Sequence, residues 1–187
     1  MNLNYLKKPL EIKDIDFRVQ SVNKGGYATI LAYKDARVDM NRLDDAVGQE
    51  NWQRDHKEVK GVVYCGIGIN IEQRRNDNSV DGLGWTWKWD AGSESMAEKQ
   101  KGEASDSFKR AGFNWGIGRE LYDYPIISIK LTAKEFDNNT KKATWDFKLK
   151  EWVWFSQFTD GVLTYLACKD NLGKARYSFG TYTKPSN

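Results

Sequence analysis

The amino-acid sequence predicts an α+β fold in which an antiparallel sheet with hairpins packs against two main helices, in the order β-β-α-β-β-α and then further strands. Three observations point there. Apolar residues alternate with period two in several runs, two internal segments carry apolar residues at helical spacing, and turn-forming residues separate most of the runs.

From residue 15 the chain alternates, with Ile15, Phe17 and Val19 on one side and Asp16, Arg18 and Gln20 on the other. Asn23-Lys-Gly-Gly26 reads as a turn and Tyr27-Ala-Thr-Ile-Leu-Ala-Tyr33 as a second strand, so residues 15–33 form a hairpin. A helix follows. Asp35 is its expected N-cap, Ala36, Met40, Leu43 and Val47 make one apolar stripe, and Gly48 ends it. Arg37, Asn41, Asp44 and Asp45 fall away from that stripe. Residues 59–71 are rich in β-branched residues and glycine, and residues 83–90 alternate with Trp85, Trp87 and Trp89 on one face. Together they read as a long hairpin with a basic-acidic tip. The three tryptophans fit inward packing against the helices better than an exposed stacking platform, which places Lys88 on the opposite face.

The second helix is expected to begin at Ser95, with Ser95-Met-Ala-Glu98 as a capping box. Ala97, Ala104, Phe108, Ala111 and Trp115 form its apolar stripe. Gly112 weakens it internally, and Gly116 and Gly118 end it. Residues 126–132, 143–149, 152–158, 162–168 and 175–180 read as strands, with Asp160-Gly161 and Asn171-Leu-Gly173 as turns. Residues 1–182 are expected to form one domain and residues 183–187 a frayed end.

Composition narrows the function. The chain has 187 residues, two cysteines and one histidine. A structural zinc site needs about four Cys/His ligands, so that class is excluded. Cys65 and Cys168 are expected as buried free thiols rather than a bridge. The first residues lack the apolar core of a signal peptide, and no apolar run approaches the roughly 20 residues of a membrane span, so a soluble, cytoplasmic protein without membrane contact is expected. There is no GxxxxGK[ST] and no HExxH. His56 sits in a polar stretch better suited to a turn than to a triad, and Asp44 and Asp45 point apart on their helix, a poor start for a magnesium site. No cofactor is expected. The formal charge of +3 does not by itself indicate a nucleic-acid partner, so the placement of cations decides.

The clearest cluster is Ser105-Asp-Ser-Phe-Lys-Arg-Ala-Gly112. Lys109 and Arg110 flank the buried stripe about 100° apart, which suits phosphate binding from a rigid helix. Pairing with Asp106 or Glu103 is the plainer alternative. Arg37 lies near a helix N-terminus, where the dipole favours anions, so reaching a phosphate would explain it; a surface salt bridge to Asp39 or in the neighbourhood of Asn41 is the alternative. Arg74 and Arg75 at the hairpin tip are further candidates, although charged tips are common.

Three segments in this order resemble the strand-annealing domain of the Rad52 type, in particular its phage and bacterial versions. They are Ala36-Arg-Val-Asp-Met-Asn-Arg-Leu-Asp-Asp-Ala-Val-Gly48 with Glu50-Asn-Trp52; Val62-Val-Tyr-Cys-Gly-Ile-Gly-Ile69 leading to Trp87-Lys-Trp-Asp-Ala-Gly92; and Lys101-Gly-Glu-Ala-Ser-Asp-Ser-Phe-Lys-Arg-Ala111 with Gly116-Ile-Gly-Arg-Glu-Leu-Tyr122. The resemblance implies a ring-forming fold and a basic groove in which single-stranded DNA lies backbone-inward. Arg37, Lys109 and Arg110 match the cations that line that groove. Eukaryotic members carry another basic residue where this chain has Phe113, and Arg119 is the candidate to replace it; Gln49 stands where they have an aromatic. The implied partners are single-stranded DNA, further copies of the chain in a ring or helical filament, and a phage exonuclease or host single-strand binding protein. The competing readings are a magnesium-dependent nuclease and a Trp-rich binding module.

Overall fold

The computed structural model describes residues 1–74, 79–92 and 99–184. Its elements run β1 (Asp16–Val22), β2 (Tyr27–Tyr33), α1 (Ala36–Val47), β3 (Trp52–Val59), β4 (Val62–Arg74), β5 (Val80–Ala91), α2 (Lys99–Trp115), β6 (Ile127–Lys130), β7 (Phe136–Asp137), β8 (Lys142–Ala143), β9 (Val153–Thr159), β10 (Val162–Lys169) and β11 (Ala175–Gly180). The fold is α+β with antiparallel pairing throughout these strands. The chain forms two compact units, one of residues 1–8 and 34–119, the other of residues 9–33 and 120–187.

The first unit is the sheet β3-β4-β5 with α1 and α2. Its core joins Leu43, Ala46 and Val47 of α1 to Phe108, Ala111 and Trp115 of α2 and to Cys65, Ile67 and Ile69 of β4. The α1 stripe and the Asp35 cap are as the sequence predicts, Phe108, Ala111 and Trp115 of the α2 stripe face the core, and Gly48 ends α1 at φ 86°. The expected capping box at Ser95–Glu98, including Ala97, lies outside the described residues.

Two expectations fail here. Residues 54–58, the polar stretch around His56 expected to suit a turn, lie within strand β3, and the expected strand 59–71 starts only after a turn at Lys60 and Gly61, both at positive φ (54° and 78°). Every residue of β3 after Trp52 is exposed, so no apolar alternation marks it; charges on such an edge discourage pairing with other strands. The tryptophans also turn outward. Register pairs Trp89 with Gly66 and Trp87 with Gly68, so the three indoles share the face opposite Cys65, Ile67 and Ile69. Trp85 is 42% exposed. The Trp87 and Trp89 rings stack at 5.6 Å on a floor made by the two glycines, where a β-carbon would come within 2.6 Å of Trp89 and 2.8 Å of Trp87. The indoles thus account for Gly66 and Gly68. Lys88 does take the other face, and that face holds α2: its Nζ donates to the Asn114 carbonyl at 2.9 Å and lies 4.3 Å from the centre of the Trp115 ring.

The second unit has two three-stranded sheets, β1-β2-β6 and β11-β10-β9, and the small pair β7-β8. Ile30, Ile127 and Ile129 meet Trp152, Trp154 and Leu166 in its core. Asp160 and Gly161, at φ 51° and 79°, make the two-residue hairpin turn between β9 and β10 that requires positive φ twice. The expected strand 143–149 is absent: after β8 the chain turns, and residues 149–151 form a short 3-10 helix. Both cysteines are free and buried, and burial pushes the Cys65 thiol up to about 11 and the Cys168 thiol up to about 12, so neither is a ready nucleophile. No helix among the described residues is long and apolar enough to cross a membrane.

Candidate nucleic-acid interface

Helix α1 begins with a cap that also holds a cation. The Asp35 carboxylate accepts the Arg37 backbone N–H at 2.9 Å and the Arg37 Nε–H at 2.9 Å. Arg37 itself is 83% exposed. The hydrogen bonds from Arg37 hold the Asp35 carboxyl below its ordinary range, and the positive charges of Arg37 and Lys109 add to this. Lys109 acts on Asp39 in the same sense. The start of α1 and the third turn of α2 meet at one corner here, since Lys34, just before the cap, donates to the backbone carbonyl of Lys109 at 3.2 Å.

Beneath that corner lies a buried ion pair that the sequence reading missed. Lys34 and Asp39 are 1% and 0% exposed. The Lys34 ammonium donates to Asp39 Oδ1 and, at 3.2 Å, to the backbone carbonyl of Lys109, and it sits 4.4 Å from the centre of the Phe113 ring. Burial pushes the Asp39 carboxyl up to about 6 despite the attraction of Lys34. Among the described residues, Asp39 Oδ2 accepts no hydrogen bond. Gly112 faces this pair, and a β-carbon there would overlap the Asp39 carboxylate. The glycine expected to weaken α2 is what lets α2 approach α1 closely. Phe113, where the resemblance led one to look for a cation, instead offers its ring to a buried one.

Arg110 points elsewhere. Its Nε donates to Asp90 Oδ1 at 3.3 Å, leaving the side chain partly exposed. Asn114 ties the same end of β5 to α2 through the Trp89 carbonyl at 3.0 Å. Arg110 thus pairs with Asp90, an acid on a different strand that the sequence did not single out, and Arg37 pairs with Asp35 rather than the expected Asp39.

Arg119 lies at the far end of α2. Its guanidinium donates to the Phe113 carbonyl at 3.1 and 2.7 Å and to that of Asn114 at 3.4 Å, so it caps the helix where the dipole favours a cation. Lys88 is close to Arg119 and Lys7, and burial followed by those two charges lowers its pKa. Arg74, at the end of β4, pairs with Glu72 at 2.9 Å in the open. Arg75 lies outside the described residues. The structure thus brings Arg37 and Lys109 to one corner, turns Arg110 toward Asp90, and sets Arg119 and Arg74 apart. Arg54 of β3, unmarked in the sequence reading, has its guanidinium 5.5 Å from the Phe108 ring on the side of the sheet that α2 covers.

A family model described as Rad52/22 family double-strand break repair protein matches residues 3–142. The chain belongs to the Rad52/22 family. The single-stranded DNA-binding protein DdrA of Deinococcus radiodurans is a relative, 35% identical over 98 residues. That alignment covers 52% of this chain and 43% of the relative, so the chain spans less than half the length of the relative it matches.

Proposed function

We propose that the chain binds single-stranded DNA without regard to sequence and promotes the pairing of complementary strands, acting as an oligomer and breaking no covalent bond. The observation that carries this reading is the corner where Arg37 is held on Asp35 at 2.9 Å while Lys34, the residue before Asp35, donates to the backbone carbonyl of Lys109 at 3.2 Å, with Arg110 one residue further on. It occurs in a Rad52/22 family member with a relative named for binding single-stranded DNA.

In this reading Arg37, Lys109 and Arg110 neutralise phosphates, and the release of condensed counterions drives binding. Arginine grips a phosphate with two donors and lysine acts as a point charge. Phosphate contacts carry no base information, so base edges stay free to sample a second strand. Repetition of the site around a ring or filament multiplies a weak contact through effective concentration. Pairing itself is downhill and needs no nucleotide hydrolysis. An exonuclease that exposes single strands, or a host single-strand binding protein, is the natural partner of such an activity.

The test is fluorescence anisotropy with labelled oligonucleotides over a salt series. Lys109→Ala/Arg110→Ala should weaken binding to all sequences alike and reduce the slope of log affinity against log salt by about one for each phosphate left without its cation. A folded double variant with unchanged affinity and slope refutes the assignment.

A further inference from the structure

We propose that a cleft of about 420 Å³ in the second unit, between β1, the end of β2 and residues 144–151, is a DNA subsite that takes one unpaired base together with a neighbouring phosphate. This rests on the single-stranded DNA reading and adds to it a place for the base, which phosphate binding alone does not supply.

The walls have the chemistry of a stacking site. Phe17, Tyr33 and Phe147 line the cleft. Phe17 is itself stacked on Trp154, ring centres 3.7 Å apart and planes within 4°, so the floor is rigid. Trp145 lines the cleft too and is 97% exposed, whereas Trp152 and Trp154 are buried. Its exposure is built in. The Thr144 N–H donates to the Glu135 carbonyl at 2.9 Å and the Phe147 N–H returns to the Thr144 carbonyl at 3.2 Å, so a closed turn holds the indole outward. An exposed indole contributes nothing to the protein's own core, and a nucleobase is the flat partner that would use it.

The charges select the ligand further. Arg18 lies over the Tyr33 ring at 5.2 Å, and Lys150 also lines the cleft. Neither makes an ion pair among the described residues. The acid on the lining, Glu151, is occupied by Lys148 at 3.6 Å and Asn171 at 3.0 Å. A cleft with aromatic walls and unneutralised cations suits a base attached to a phosphate. A sugar would require amide and carboxylate partners, and an apolar peptide would strand the cations. The wall formed by residues 144–151 lies beyond the region matched by the family, residues 3–142.

The experiment compares the full-length chain on two labelled strands of equal length, oligo-dT and an abasic deoxyribose-phosphate chain. Wild type should prefer oligo-dT. Trp145→Ala should lower oligo-dT affinity about tenfold and leave the abasic strand unchanged, while Trp145→Phe keeps most of the preference. Arg18→Ala/Lys150→Ala should weaken both strands. Lys109→Ala/Arg110→Ala should weaken both while the dT-to-abasic ratio stays at the wild-type value. Trp145 is exposed, so its loss leaves the fold intact, which circular dichroism checks. A Trp145→Ala ratio equal to wild type overturns the cleft alone. A wild-type chain that binds neither strand overturns the cleft and the single-stranded DNA reading together.

Discussion

Two buried ion clusters, one in each unit, solve the same problem differently. In the first unit Lys34 faces Asp39, and one carboxylate oxygen goes without a donor among the described residues. In the second unit Arg176 faces Glu135 and Asp170, all less than 10% exposed. There the guanidinium forks onto both Glu135 oxygens at 2.9 and 2.7 Å and reaches Asp170 Oδ2 at 3.2 Å. Thr132 adds a backbone N–H to Glu135 at 2.8 Å, and Leu172 and Lys174 each add one to Asp170 Oδ1 at 3.0 Å. Burial pushes all three carboxyls up. Donors outweigh it for Glu135 and Asp170, which end below their ordinary range, and fail to for Asp39, which ends near 6. The lesson is that the count and geometry of donors, more than burial or the presence of a cation, decide whether a buried carboxylate stays ionised.

The largest expected effect follows from removing Lys34, the cation bonded to Asp39. Lys34→Ala leaves Asp39 buried without its partner and should cost about 3–5 kcal/mol in urea unfolding. Lys34→Met/Asp39→Leu removes both charges and should recover most of that deficit, since a buried pair contributes little over apolar packing. A cost below about 1 kcal/mol for Lys34→Ala would mean that water reaches the pair, and the contrast with Arg176 would collapse.

The second expectation concerns the sign of pH dependence. Asp39 rises from 3.8 to about 6 on folding, so between those values the folded chain binds more protons than the unfolded one. This carboxyl therefore favours the fold in acid and loses that contribution as pH climbs from about 4 to 6, by about 2–3 kcal/mol relative to Asp39→Asn. Glu135 is depressed on folding, so its contribution is full above its ordinary 4.5 and fades as pH falls below it. Urea midpoints of wild type, Asp39→Asn and Glu135→Gln from pH 3 to 7 should show difference curves of opposite slope. Parallel curves would break the comparison.

These clusters also mark where sequence reasoning stops. The helices were legible because Leu43, Val47, Phe108 and Ala111 repeat at helical spacing and Asp35 and Gly48 punctuate the ends. The adjacency of Lys109 and Arg110 was legible too, but not their partners. Lys34 and Asp39 score as surface residues in any pattern of apolar periodicity, so their burial was invisible; Gly112, a small residue mid-helix, was the available signal. Strand β3 was missed because an exposed edge strand carries no alternation. The Trp ladder announced its shared face and not its side, since the glycines opposite it are recognisable as a floor only once the register is known.

The smallest expected effect sharpens the contrast by extending it to an exposed pair. Arg37 and Asp35 are joined at 2.9 Å but open to solvent, so their mutual attraction is screened and adds little to stability. Asp35→Asn keeps a good N-cap and should change stability by only a few tenths of a kcal/mol. It removes a negative charge from the corner proposed to hold phosphates and lets Arg37 turn toward one. Affinity for an oligonucleotide at low salt should therefore rise about threefold, with the gain shrinking as salt shortens the range of the charge. If affinity falls instead, Asp35 serves to aim the guanidinium rather than to compete for it. The exposed carboxylate would then share with Glu135 the property that matters, a fixed geometry on an arginine.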